Sequence, residues 1–236
     1  MVRRARNHFP RYNRLDRICT AALPLPQRKQ RQPRHSQFDI RPGDKTKLPD
    51  IITFLNQHGA AKQFFPVFTP ADFEPDGTNL DFCIEDFILA YHQGRLVGVM
   101  GLWDQSRYKQ TIVQAYHGLL RSVRPLYNLG VSLIGLPRLV LPGQAIHFAY
   151  ASFICVRNND PKIFAALLAQ VRWRAIQRGY AYLMVGLSEH DPLLTVVKRQ
   201  RHVPYYSTLY SVCWQDDQSF HDTLDGRCPY VEIATL

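Results

Sequence analysis

The chain is poor in the features that would place it quickly. Its five cysteines (Cys19, Cys83, Cys155, Cys213, Cys228) are odd in number and widely spaced, with no CxxC and no Cys/His ligand spacing. That excludes a disulfide framework and a structural zinc, and it points to a reducing, cytoplasmic setting. Long apolar runs are also missing. The uncharged stretch from Pro125 to Pro137 is short, and Pro142-Gly143 breaks the run from Leu139 to Val156. A spanning helix needs about 20 apolar residues. The N-terminus has no apolar h-region, so no secretory signal is expected.

Acidic residues are scarce at one end. Residues 1–38 hold ten Lys/Arg and a single acid, Asp16, whereas the rest of the chain carries nineteen basic and eighteen acidic side chains. The net charge of +10 therefore belongs to the N-terminal stretch, and the pI near 9.6 does not make the remainder a nucleic-acid binder. Residues 1–36, rich in Arg, Gln and Pro, read as a disordered basic arm. Such an arm suits contact with nucleic acid or an anionic membrane, the latter making the protein peripheral to it.

The folded part is expected over residues 37–236. Phe38-Asp39-Ile40-Arg41 is a short strand, and Leu48, Ile51, Ile52 and Leu55 recur at helical spacing before Gly59. Two β-rich runs flank Gln93-Gly94, a hairpin signal, and Gly98 and Gly101 mark a bulge or a close backbone approach. The stretch 110–143 is apolar with Arg121, Arg124 and Arg138 spaced through it, read as one or two helices interrupted at Pro125 and near Pro137. It suits the wall of a pocket for a small-molecule or lipid-like acceptor, a membrane-surface element, or a hairpin packed on the sheet or on a second subunit in a homodimer. A strand follows over 146–156, a turn over 157–161, a helix over 162–178 closed by Gly179, and a strand from Tyr180. Asp191-Pro192 opens a short helix before a late strand, "PYYSTLYSVCW". A hairpin feeding two strand–helix units argues for an α/β fold, a mixed central sheet with helices on both faces.

Three stretches in this order, "FDIRPGDKTKLPDIITFLNQ", "FILAYHQGRLVGVMGLW" and "FICVRNNDPKIFAALLAQVRWRAIQRGYAYLMVGL", resemble the GNAT superfamily of acyl-CoA-dependent N-acyltransferases. Against the family's element order, residues 110–143 stand as a helical insert before the fourth strand. The resemblance implies acetyl-CoA or another acyl-CoA as cofactor, with no metal. It implies polarisation of the thioester carbonyl around Ile154, Cys155 and Val156, and phosphates held by Arg157, Asn158, Asn159 and Lys162. Where the family carries glycines in this turn, the chain has Asn158, Asn159, Asp160 and Pro161. "LSEHDP" offers Glu189 or His190 as general base, or simply Ser188 and Asp191 as helix-entry caps. Lys198 falls near the family's usual acid tyrosine, and Tyr205 or Tyr206 follows closely enough to replace it. His147 and Tyr150 alternate along the fourth strand and suit an acceptor pocket. The rival to an acyltransferase is a non-catalytic binding or scaffold module of the same fold.

Overall fold

The structure, a computed structural model, describes residues 10–33, 37–74, 76–214 and 224–236. Seven strands, β1 (Arg11–Pro24), β2 (Asp39–Pro42), β3 (Phe87–His92), β4 (Arg95–Trp103), β5 (Phe148–Val156), β6 (Tyr182–Ser188) and β7 (Val203–Cys213), form one sheet. Their order is β2-β3-β4-β5-β6-β1-β7. Only β5 and β6 run parallel, and the other neighbours are antiparallel. Four helices complete the fold: α1 (Leu48–Gly59), α2 (Leu119–Leu133), α3 (Pro161–Gln177) and α4 (Leu194–Lys198).

Period-two burial sorts the strands onto two apolar layers. On one face Ile88, Met100, Ala151 and Val185 meet Phe164, Leu167, Leu168 and Val171 of α3. On the other, Leu89, Val99, Phe153 and Cys155 meet Ile51 and Leu55 of α1 and a group of phenylalanines. Gly98 lets α3 lie close to the sheet, since a Cβ there would sit 2.6 Å from Ile163 Cγ2. The register slips near Gly98 and Gly101, as those glycines suggested. Gln93 and Gly94 turn the β3–β4 hairpin with φ of 50° and 75°.

The N-terminal stretch corrects the sequence reading. Residues 1–36 were expected as a disordered arm, yet β1 lies inside the sheet, paired with β6 on one side and β7 on the other. Cys19, Ala21, Leu23 and Leu25 are buried against α3 and its neighbours. The physical reason is local. The cations flank a charge-free core, "ICTAALPLPQ", which alternates as a half-buried strand does, and composition taken over the whole stretch hides it. The ends of the expected arm, 1–9 and 34–36, lie outside the described residues.

The insert also differs from expectation. α2 runs through Pro125 without ending there. Only Val131 of its residues is buried, so α2 does not pack on the sheet. Its tie is to the returning segment: Asn128 Nδ2 donates to Leu139 O at 2.9 Å and Asn128 Oδ1 accepts from Leu139 N at 2.8 Å.

Candidate functional site

β5 ends in a tight turn, Arg157–Asn159, whose backbone is left-handed at Asn158 (φ 55°) and Asn159 (φ 50°). Asparagine tolerates this region better than other residues with a Cβ, so the turn keeps a glycine-like path without glycine. Asp160 then caps α3, its Oδ1 accepting from Lys162 N at 2.7 Å, and Pro161 takes the first helical position. Arg157 and Lys162 form no ion pair among the described residues. They line an open groove of about 400 Å³ with Asp160 and His92.

On the other side of the turn is a cavity of about 310 Å³ between the end of α1 and the end of β5. Ile154, Cys155, Val156, Asn158 and Asn159 line it, together with His58, Lys62 and Cys228. Lys62 Nζ meets Asp191 Oδ2 at 2.7 Å, and both side chains are buried. Asn159 Nδ2 donates to Asp191 Oδ1 at 2.9 Å, while Asn159 Oδ1 is buried without a hydrogen-bond partner among the described residues. Such an orphan acceptor is costly unless a ligand or water meets it. His58 sits on the last turn of α1 with its ring 4.4 Å from that of Phe54. Burial, and then the Arg157 charge, hold its pKa below the ordinary value and favour the neutral imidazole. Burial pushes the Cys155 thiol up to about 12 and raises Cys228 as well, so neither is poised as a thiolate.

A second polar group gathers at the end of β6. Buried Asp16 accepts from Ser188 Oγ at 2.5 Å and from His190 Nδ1 at 2.8 Å. Burial alone would raise the Asp16 pKa, but Ser188, the Arg17 N–H and His190 together bring it below the ordinary value. Arg17 reaches Glu189 at 3.5 Å and lies 4.3 Å from the Tyr206 ring centroid. Glu189, His190 and Tyr206 are thus brought together, but around β1 and facing outward: the His190 side chain is 77% exposed. Asp191 links this group to the cavity through Lys62 and Asn159. Ser188 and Asp191, expected as helix-entry caps, instead close turns ahead of α4, Ser188 Oγ accepting from His190 N and Asp191 Oδ1 from Leu193 N, while the N-cap position of α4 is Leu193.

The C-terminal segment fills the gap between β5 and β6. Their parallel pairing extends to Ala151 and Val185, and beyond it Phe153 is left-handed (φ 54°). Phe153 N donates to Glu232 Oε2 at 2.7 Å, and Ile154 N donates to Tyr230 Oη at 3.3 Å. Tyr230 Oη in turn donates to Glu232 Oε2 at 2.7 Å. Ile233 packs where a Cβ on Gly186 would lie 2.2 Å from its Cγ2. The backbone donors expected to polarise a carbonyl near Ile154 are therefore occupied. This segment escaped the sequence reading, although a carboxylate flanked by Val231 and Ile233 signals a buried acid.

Burial raises the Glu232 pKa, and the donors Tyr230, Phe153 N–H and Ala234 N–H recover only part of the shift. Protonated Glu232 then favours the folded state. Its contribution to stability is complete below the ordinary carboxylate value and is lost as pH rises through the raised folded value. Urea midpoints measured across that range should show Glu232→Gln losing this slope while the parent chain keeps it.

His147 is exposed at the entry to β5, and Tyr150 is buried among the phenylalanines. Lys62, His58, Asp16, Tyr230 and Glu232 are the site residues that sequence reasoning missed. The first two carry no motif, and Asp16 lay in the stretch read as an arm. Among the described residues no group of three or more His, Cys, Asp or Glu is placed to hold a metal, and no helix is long and apolar enough to cross a membrane.

No protein-family model matches the chain, and neither does any curated protein. Among solved structures it is similar to a GCN5-related N-acetyltransferase from Sphaerobacter thermophilus, with a TM-score of 0.51 and 11% identity over 95% of this chain. It covers 56% of that protein, so it spans little more than half its length. A GNAT-family protein from Novosphingobium aromaticivorans gives a TM-score of 0.45 at 11% identity, over 86% of this chain and 67% of that one. The chain has the fold of the GCN5-related N-acetyltransferases (GNAT).

Proposed function

We propose that the protein transfers an acyl group from an acyl thioester of the acyl-CoA type to an amine. The observation that carries this reading is the left-handed Asn158-Asn159 turn between β5 and α3, with Arg157 and Lys162, which form no ion pair among the described residues, on one side and the His58 cavity on the other. The residues present fit the phosphate end of such a cofactor, where two cations and a reversed turn face an open groove. The buried Asn159 Oδ1 suits an amide N–H. At the acyl end the fit requires Tyr230, Glu232 and Ile233 to leave the gap between β5 and β6, which frees the Phe153 and Ile154 N–H groups.

A bound acyl thioester supplies the activated carbonyl, and the remaining work falls to the chain. Arg157 and Lys162 offset phosphate charge. The freed N–H groups donate to the developing oxyanion. As the C–N bond forms and the thioester C–S bond breaks, His58, neutral and lining the cavity, takes the proton of the attacking amine and returns it to the departing thiolate, leaving an amide and a free thiol. His58 suits this role better than His190, which Asp16 holds toward solvent.

A second reading, a non-catalytic module of the same fold, draws support from the occupied donors: Glu232 and Tyr230 on β5, and Asp160 on Lys162 N. Thiol release from acetyl-CoA and a longer acyl-CoA, assayed with a panel of amines, separates the two. Catalysis should fall about 10²- to 10⁴-fold in His58→Ala, with the urea midpoint little changed. Absence of release by both the parent chain and an Ile233→Ala variant, built to loosen the C-terminal segment, would favour the non-catalytic module.

A further inference from the structure

α2 carries an apolar stripe that the fold leaves uncovered. Leu119, Leu126, Leu129 and Leu133 recur at the spacing that places residues on one helix face, and they are 77%, 72%, 60% and 73% exposed. Ile134 continues the stripe past the helix end at 62% exposed. A patch of this kind on a surface helix marks an interaction site. The opposite side of α2, with Arg124, Asn128 and Ser132, is already engaged by the returning segment.

The insert that carries the stripe has charge of one sign. Between Asp104 and Asp160 the chain contains no acidic residue, whereas Arg121, Arg124 and Arg138 lie on or beside α2. A second basic run is fixed next to the helix end. Gln27 N donates to Gly135 O at 2.8 Å, and Arg28 passes close to Gly135, its Nε 3.6 Å from where a Cβ there would lie. Trp173 Nε1 and Gln177 Nε2 both donate to Gln30 O, which anchors this segment on α3. Arg28, Lys29 and Arg31 are exposed there. Exposed leucines on an insert that carries cations and no acid match a surface with an apolar interior and anionic headgroups. Nucleic acid would use the cations but gives the leucine stripe no counterpart.

We infer that α2 and the Arg28–Arg31 run form a docking face for an anionic lipid bilayer, on which the helix lies in the interface with its leucines inserted. This assignment stands apart from the acyl-transfer reading and survives its failure.

Co-sedimentation of the full chain with vesicles tests it. The chain should pellet with phosphatidylcholine vesicles doped with phosphatidylglycerol, pellet far less with phosphatidylcholine alone, and be released by salt. Arg121→Gln should weaken partitioning about fivefold, and Leu126→Glu with Leu129→Glu by more than about tenfold. These positions are exposed, so an unchanged circular dichroism spectrum and urea midpoint are expected. As an independent readout, the fluorescence of Leu126→Trp should shift to the blue on anionic vesicles and not on neutral ones. No pelleting with anionic vesicles at low salt would overturn the inference, as would pelleting unaffected by the two glutamates. So would a lipid-free dimer that the glutamates convert to monomer, which would give the stripe to a second copy of the chain. Retention on a single-stranded oligonucleotide but not on vesicles would give the cations to nucleic acid.

Discussion

Removal of residues 1–36 leaves a chain that does not unfold cooperatively, because the deletion takes a strand from inside the sheet. β1 separates β6 from β7, so its loss takes one partner from β6 and leaves β7 without a neighbour. It also removes Ile18, Cys19, Ala21, Leu23 and Leu25 from the two apolar layers. Burial of one leucine or isoleucine side chain contributes about 1.5–3 kcal/mol, and a whole domain is stable by only about 5–15 kcal/mol. The lost contacts and hydrogen bonds are of the same size as the total. A single change should already be felt: Leu23→Ala is expected to cost about 2–5 kcal/mol. Urea unfolding followed by circular dichroism checks both. A 37–236 fragment with a sharp transition near that of the full chain would contradict the placement of β1.

The second large effect is expected at Lys62. Its ammonium faces Asp191 in a buried pair, and Asp191 also accepts from Asn159 and from Leu193 N. Lys62→Met fills similar volume and leaves Asp191 as an uncompensated buried charge, at a cost of about 3–5 kcal/mol. Lys62→Met with Asp191→Asn should recover a large part of the loss, since no net charge then remains buried. Equal urea midpoints for the parent and the single variant would show that the pair is not closed off from water as described.

Much of the fold was legible because its signals are local. The β3–β4 hairpin announces itself through Gln93-Gly94, α3 through the closing Gly179, and α1 through four apolar residues at helical spacing, whereas Asp160 and Pro161, assigned to the turn, turn out to cap and open α3. β1 was not legible from composition. Its apolar alternation is short, its cations crowd the flanks, and its partners β6 and β7 lie more than a hundred residues away. The candidate site divides the same way. The turn at Arg157–Asn159 could be found from its position between a strand and a helix. Its left-handed backbone could be guessed only from the two asparagines. His58, Lys62 and Glu232 meet β5 through long-range packing that no spacing encodes. The insert was recognised as apolar and basic, but whether its leucines turned inward or outward depended on the returning segment taking the polar side of α2.

Acyl transfer as proposed requires the turn at the end of β5 to hold phosphate without glycine. Isothermal titration of the full chain with acetyl-CoA and a longer acyl-CoA tests it most directly, alongside Arg157→Ala with Lys162→Ala and, separately, Ile233→Ala. The parent chain should bind, and Ile233→Ala, which loosens the segment between β5 and β6, should bind more tightly. Removal of both cations should weaken binding about tenfold or more, in keeping with charge-assisted contacts of roughly 1.5–3 kcal/mol. No heat of binding from the folded parent or from Ile233→Ala, with either ligand, would contradict it.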